Sequence, residues 1–179
     1  MRDMNCCIDI RDTSENKHVV LTFKREELLY DIKNLGWVES DMMDDAAQHG
    51  KHLTADIGED GNVDEVYRLL ALYHAAAREL LYPFTKREVV EEEVDDRLMT
   101  PSEYIICMNV PKEFSRTTVH FLAQLIHNWM VFMVLAHWLG ITNPDAAAGW
   151  RAKADEVKEE IEDAKSSRRK VLTRKLNPF

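Results

Sequence analysis

The sequence predicts an α+β fold that is mostly α-helical, with a C-terminal antiparallel helical hairpin and a small antiparallel β component of two hairpins. Two observations lead to this prediction. In the segments that follow residues 62 and 113, apolar residues recur at three- and four-residue intervals, the period of an amphipathic helix. Near the N-terminus and around residues 103–110, shorter stretches are rich in β-branched and aromatic residues, which is typical of strands.

The N-terminal segments predict a hairpin followed by helices. Cys7–Ile10 alternates weakly and His18–Phe23 is rich in β-branched residues, so the two segments are expected to pair. From Arg25 the apolar residues share a helical face, and Gly36 is expected to end that helix. Methionines and alanines then predict a short helix that stops before Gly50.

A long amphipathic helix is predicted to begin after Asn62 and to end before Pro83. Asn62 followed three residues later by Glu65 has the form of a capping box. The residues of its apolar stripe are Val66, Leu69, Leu70, Tyr73, Ala77, Leu80 and Leu81. Beyond this helix, the acidic segment 87–96 is expected to pair with Glu103–Val110 as a second hairpin, its charges discouraging further sheet addition.

The last third of the chain predicts the helical hairpin. From Glu113 to Leu139 the segment is apolar over most of its circumference, as in a central helix, and its interrupting polar residues argue against a membrane span. Asn143 and Pro144 suit the cap and first position of the next helix. The inner stripe of that helix, at strict 3-4-3-4-3 intervals, is Ala147, Trp150, Ala154, Val157, Ile161 and Ala164. Its small alanines predict close antiparallel packing.

Composition limits the classes of function. With 179 residues, 45% of them hydrophobic and 31% charged, the chain is expected to form a single domain over residues 1–179. The formal net charge of −9 argues against wholesale wrapping by nucleic acid. Three cysteines without metal-finger spacing predict neither a disulfide framework nor a zinc finger, and no secretory pattern is visible, so the cytoplasm is expected.

One cluster has metal-ligand residue types at helical spacing. His49 and His52, with Asp45 and Asp56, would share one face of a helix. Gly50 weakens that helix, so a solvated loop is the favoured interpretation, and neither a metal nor a cofactor is predicted. The alternative is a small metal-dependent hydrolase that uses His49, His52 and nearby carboxylates.

The predicted central helix contains two histidines on one face. His120 and His127 are seven residues apart, about two helical turns. Hydrogen-bonded core histidines are the favoured interpretation, because an acid/base pair would need a carboxylate from another element. The serines form no nucleophile elbow and the scattered glycines form no phosphate loop, so no catalytic residue is predicted.

The chain ends in a basic segment, residues 165–179, which we name the C-terminal arm. Between Lys165 and Lys175 there are six basic residues and no acidic one. Basic residues complement a helix C-terminus, but the apolar residues beyond them gain nothing unless something buries them. A docking role is therefore weighed against a frayed tail and, less favoured, against contact with nucleic-acid phosphate. The predicted interface residues are Arg168, Arg169, Lys170, Arg174, Lys175, Leu176, Pro178 and Phe179.

Four segments resemble a known family: Asp60-Gly-Asn-Val-Asp-Glu-Val66, Leu81-Tyr-Pro-Phe-Thr-Lys86, Phe114-Ser-Arg-Thr-Thr-Val119 and the Arg-rich end that closes in Asn-Pro-Phe. With them the chain resembles virion structural proteins of tailed phages and prophages, of the head–tail connector or adaptor kind. The resemblance implies a non-enzymatic subunit of a ring between portal and tail, which contacts copies of itself and other virion proteins. A membrane is not an expected partner. The β-rich N-terminal part departs from the mostly helical connectors and leaves a neck or tail role open.

Overall fold

The computed structural model describes residues 7–12, 16–43, 48–86 and 101–166. Within these ranges the chain has an α+β fold, as predicted, in which a three-stranded antiparallel sheet accompanies five α-helices. The elements in chain order are β1 (Cys7–Asp12), β2 (Asn16–Lys24), α1 (Arg25–Met42), α2 (Gln48–Ala55), α3 (Val63–Leu80), β3 (Glu103–Pro111), α4 (Arg116–Thr142) and α5 (Pro144–Ser166). A 3-10 turn at Asp56–Gly58 links α2 to α3.

The sheet has the order β1-β2-β3, with β2 in the centre. Alternate residues of β2 and β3 are buried, which is the pattern of a sheet with one face against the core. The buried cross-strand pairs are Val19 with Met108, Leu21 with Ile106 and Phe23 with Tyr104. The N-terminal hairpin is confirmed, and so is the strand at residues 103–110. That strand pairs with β2, and its predicted partner segment 87–96 lies outside the described residues.

Helix α1 follows β2 without a loop, and the Arg25 N–H donates to the carbonyl of Ser102 at 3.0 Å. The prediction that Gly36 ends this helix is wrong, because α1 continues through it to Met42. Gly36 is buried, and a Cβ there would lie 3.0 Å from Cγ2 of Ile57 in the 3-10 turn. Its role is therefore to let the two segments approach closely.

Part of the predicted short helix, residues 44–47, lies outside the described residues. The helix that follows, α2, contains Gly50 instead of stopping before it. Two side-chain hydrogen bonds hold α2 in place. Ser40 Oγ on α1 donates to the carbonyl of Lys51 at 2.9 Å, and Thr54 Oγ1 donates to Thr142 Oγ1 at 3.1 Å. Helix α2 is thereby joined both to α1 and to the end of α4.

Helix α3 begins and ends close to its predicted limits, at Val63 and Leu80. Its start is not the predicted capping box, because the Asn62 side chain makes no cap hydrogen bond and instead donates through Nδ2 to the carbonyl of Asp56 at 2.9 Å. The predicted stripe is buried except for Leu80, which is half-buried. Asn62 thus braces the preceding 3-10 turn.

Helices α4 and α5 form the predicted hairpin. Asn143 Oδ1 accepts a hydrogen bond from the N–H of Ala146 at 3.3 Å, so the predicted cap is formed. The inner stripe of α5 is buried except for the half-buried Val157, and Ala154 on this seam is fully buried. Among the described residues, α4 is the one helix long and apolar enough to cross a bilayer, yet 67% of its most apolar window is buried inside the fold.

Helix α5 is also fixed to two other helices by polar contacts. Near its start, Trp150 Nε1 donates to Glu39 Oε1 of α1 at 2.9 Å. In its last turn, Lys165 Nζ donates to the carbonyl of Leu80 at 2.7 Å. The position at which the chain leaves α5 is therefore fixed beside the C-terminal end of α3.

Candidate functional site

The residues of the predicted metal cluster are not gathered into a site. His52 is exposed on α2, and the half-buried Asp56 begins the 3-10 turn. The side chain of His49 and residues 44–47 lie outside the described part of the chain. Within the ranges that the structure describes, no three histidine, cysteine, aspartate or glutamate side chains are arranged to hold a metal ion.

The histidines of α4 have separate environments. His127 is buried, and its Nε2 lies 2.7 Å from Oδ2 of Asp31 on α1, so the hydrogen-bonded interpretation is confirmed for this residue. His120 is exposed two turns earlier, and the two imidazoles therefore do not form an acid/base pair. His137 is exposed, with Nδ1 3.4 Å from the hydroxyl of Tyr73.

Burial changes the acidity of two tyrosines. Desolvation raises the pKa of Tyr73 above its ordinary value of 10.0, and the Arg151 guanidinium partly opposes this. Desolvation likewise raises the pKa of Tyr104, against a lowering contribution from Arg25. Both phenols therefore remain protonated at neutral pH.

The C-terminal arm begins inside the described residues and continues beyond them. Lys165 and Ser166 form the last turn of α5. All eight predicted interface residues, from Arg168 to Phe179, lie outside the described residues. Their docking role therefore stays a prediction.

The exposed side of α5 is acidic. A shallow cleft on this side is lined by Asp155, Lys158, Glu159 and Glu162. Three carboxylates to one ammonium give the surface a negative character, opposite in sign to the arm that follows it in the chain. The acidic side of α5 is thus present on the folded surface, and the basic residues from Arg168 onward lie outside the described residues.

A second open cleft, of about 360 Å³, lies between α1 and the 3-10 turn, and we name it the α1 cleft. It is lined by Tyr30, Lys33, Asn34, Trp37, Ala55, Gly58 and Glu59. Tyr30 is 64% exposed and Trp37 is 61% exposed. Because these two residues are seven apart, about two helical turns, they lie on one side of α1. The cleft therefore presents two large aromatic side chains to solvent.

Two glycines shape this cleft. Gly36 allows the 3-10 turn to lie against α1 on the buried side of the helix. On the open side, the methylenes of Lys33 lie so close to Gly58 that a Cβ there would overlap them. The Lys33 stem thus forms part of the cleft wall.

The α1 cleft was not predicted from the sequence. Its signal was the placement of Tyr30 and Trp37 on the polar side of an amphipathic helix, opposite the buried Leu28 and Ile32. Tyrosine and tryptophan combine large apolar area with a polar group, and they are enriched where proteins bind one another. The arrangement is therefore typical of a surface that another protein covers. No family model, no curated protein and no solved structure matches this chain.

Proposed function

We propose that the protein is a non-enzymatic structural subunit of a tailed-phage or prophage virion, of the head–tail connector or neck kind, which acts by oligomerisation and by docking of its C-terminal arm. The observation that carries the proposal is the α1 cleft, where Tyr30 and Trp37 are each more than half exposed. Exposed aromatic side chains grouped around a cleft favour burial against another protein.

The charge distribution supports association between copies. The exposed side of α5 is acidic and the arm that follows is basic, so the arm of one subunit is attracted to the body of the next. A protein that wrapped nucleic acid would need a basic body, whereas the net charge here is −9.

The internal contacts support a structural role. His127 bonds to Asp31 between two helices, and the exposed His137 lies against the hydroxyl of Tyr73. Both contacts hold helices together. The expected partners are further copies of this chain and other virion proteins, without a membrane, and the expected location is the cytoplasm of a bacterial host during expression and the virion afterwards.

Sedimentation of the full chain over a wide range of concentration tests the oligomeric part of the proposal. The wild-type chain is expected to form a closed oligomer, visible as rings by electron microscopy. A chain that carries Arg174→Glu and Lys175→Glu should shift toward smaller species, because the arm would then be repelled by the acidic body.

The matched control reverses two exposed basic residues outside the arm, Arg68→Glu and Lys112→Glu, and should leave the oligomer unchanged. A chain that remains monomeric at every concentration would contradict the proposal. Open filaments in place of rings would contradict the connector assignment while leaving self-association intact.

A further inference from the structure

We propose that the α1 cleft is the receptor for residues 174–179 of a second copy of this chain. This inference rests on the proposed function and deepens it, because it names the surface that the C-terminal arm of one copy meets on the next. The arm supplies two cations, Arg174 and Lys175, followed by Leu176, Pro178 and Phe179.

The two aromatic residues of the cleft match the length of the apolar end of the arm. Seven residues of helix separate Tyr30 from Trp37 by about 10.5 Å along the axis. An extended segment of three or four residues covers about that distance, which is the separation of Leu176 from Phe179. Proline-containing segments characteristically bind in grooves lined by tyrosine and tryptophan, because their extended backbone loses little entropy on docking.

Polar groups of the cleft suit an extended backbone. Asn34 lies between Tyr30 and Trp37 on the same side of α1 and also lines the cleft. An extended peptide has carbonyl and N–H groups without internal partners, and the Asn34 amide offers both a donor and an acceptor to them. The cleft therefore combines aromatic surface with a hydrogen-bonding group midway along it.

The charges around the cleft are complementary to the arm. Glu59 lines the cleft, and the exposed Asp60 follows it. The exposed Glu26 and Asp41 lie on the same side of α1, one turn beyond each aromatic residue. Lys33 is the cation among the described residues that line the cleft. The carboxylates outnumber it, so Arg174 and Lys175 of an incoming arm are attracted there.

The geometry of α5 favours a second copy over the same chain as the source of the arm. The bond from Lys165 to the Leu80 carbonyl fixes the end of α5 beside the C-terminal end of α3, whereas Gly58 of the cleft precedes the start of α3. The 18 residues of α3 separate those ends by about 27 Å. The path from Ser166 to Arg174 spans at most about 26–29 Å when fully extended, so binding within one chain would stretch it to its limit.

Photo-crosslinking of the full chain tests the inference directly. Phe179→p-benzoylphenylalanine places a photo-reactive ring at the apolar end of the arm, and ¹⁵N-labelled chains are mixed with unlabelled chains before illumination. The expected product joins residue 179 of one isotope to the segment 30–37 of the other. Crosslinks within one chain, crosslinks to the acidic side of α5, or no crosslink at that segment would each overturn the inference.

A binding measurement on matched variants separates this inference from the proposed function. Trp37→Ala is expected to weaken self-association by about tenfold or more, because exposed tryptophans are frequent hot spots of interfaces. Phe121→Ala is the control, since Phe121 is 46% exposed near the start of α4 and does not line the cleft, and it should associate as the wild type does. Circular dichroism and thermal unfolding confirm that both variants fold.

The outcomes are distinguishable. If the wild-type chain oligomerises and Trp37→Ala associates equally well, the cleft assignment fails and the proposed oligomeric function stands. If the wild-type chain remains monomeric at every concentration, both fail.

Discussion

The imidazole of His127 and the carboxylate of Asp31 lie 2.7 Å apart, and they join α4 to α1 although the two residues are 96 positions apart in the sequence. The His127 side chain is 9% exposed and that of Asp31 is 36% exposed. A hydrogen bond to a carboxylate in such a place contributes more than one at the surface. This contact therefore helps to hold α1, the helix that carries the cleft aromatics, against the central helix.

The first prediction concerns this pair. Asp31→Ala is expected to lower the free energy of unfolding by about 1–3 kcal/mol, because it removes the acceptor of a nearly buried imidazole. A double-mutant cycle with His127→Ala should give a coupling of at least about 0.5 kcal/mol in urea unfolding. Asp41→Ala, an exposed aspartate of the same helix, should change stability by less than about 0.5 kcal/mol. Strict additivity of Asp31→Ala and His127→Ala would refute the coupling.

The second prediction concerns the glycines of two helices. Gly36→Ala should lower the free energy of unfolding by about 1 kcal/mol, because its Cβ would lie 3.0 Å from Ile57 Cγ2 and 3.4 Å from the Thr54 carbonyl. This steric cost is larger than the stability that alanine gains over glycine through helix propensity. Gly149→Ala in α5 meets no atom within 4 Å and should stabilise by about 0.5–1 kcal/mol. Thermal unfolding of both variants is the measurement, and a stabilising Gly36→Ala would show that Ile57 can move aside.

The third prediction concerns the seam of the helical hairpin. Ala154 of α5 is fully buried on the seam with α4. Ala154→Leu should therefore lower the free energy of unfolding by about 1–3 kcal/mol, because the larger side chain would overpack the seam. Ala152→Leu, on the exposed side of the same helix, should change stability by less than about 0.5 kcal/mol. Chemical denaturation measures both, and equal effects of the two leucines would contradict the seam.

The fourth prediction concerns alkaline pH. Burial raises the pKa of Tyr104 above 10.0, so at higher pH the unfolded chain loses a phenolic proton that the folded chain retains. The stability associated with this residue is therefore fully present below pH 10 and declines as the pH rises through the folded-state pKa.

Tyr104→Phe should reduce that decline in a series of melting temperatures at increasing pH. Its cost at neutral pH should be small, because the Tyr104 hydroxyl has no hydrogen-bond partner among the residues that the structure describes. A variant with the same alkaline decline as the wild type would show that other groups determine it.

Long periodic segments of this chain were predictable from sequence. The stripe of α3 and the hairpin of α4 and α5 follow from apolar spacing alone, since a buried helical face needs apolar residues at regular intervals. The cap at Asn143 was predictable for the same local reason, because its Oδ1 bonds an N–H three residues later.

The remaining features depend on contacts between distant parts of the chain. Gly36 has the form of a helix stop, and only the approach of Ile57 gives it a packing role inside α1. Asn62 stands where a helix cap is expected, but its side chain donates a hydrogen bond to the carbonyl of Asp56 instead. The partner of His127 comes from another helix. Tyr30 and Trp37 line a cleft only because the 3-10 turn lies beside α1, and the arm itself stays a prediction.

The direct passage from β2 into α1 has a mechanical consequence. Strand β2 is hydrogen-bonded on both sides, and no loop separates Lys24 from Arg25. Helix α1 is therefore attached rigidly to the central strand of the sheet. The hydrogen bond from the Arg25 N–H to the Ser102 carbonyl makes this attachment stiffer. A force that pulls α1 along the direction of β2 would act in shear on the hydrogen bonds between β2 and both neighbouring strands. Many of these hydrogen bonds would have to break together before α1 could separate from the sheet.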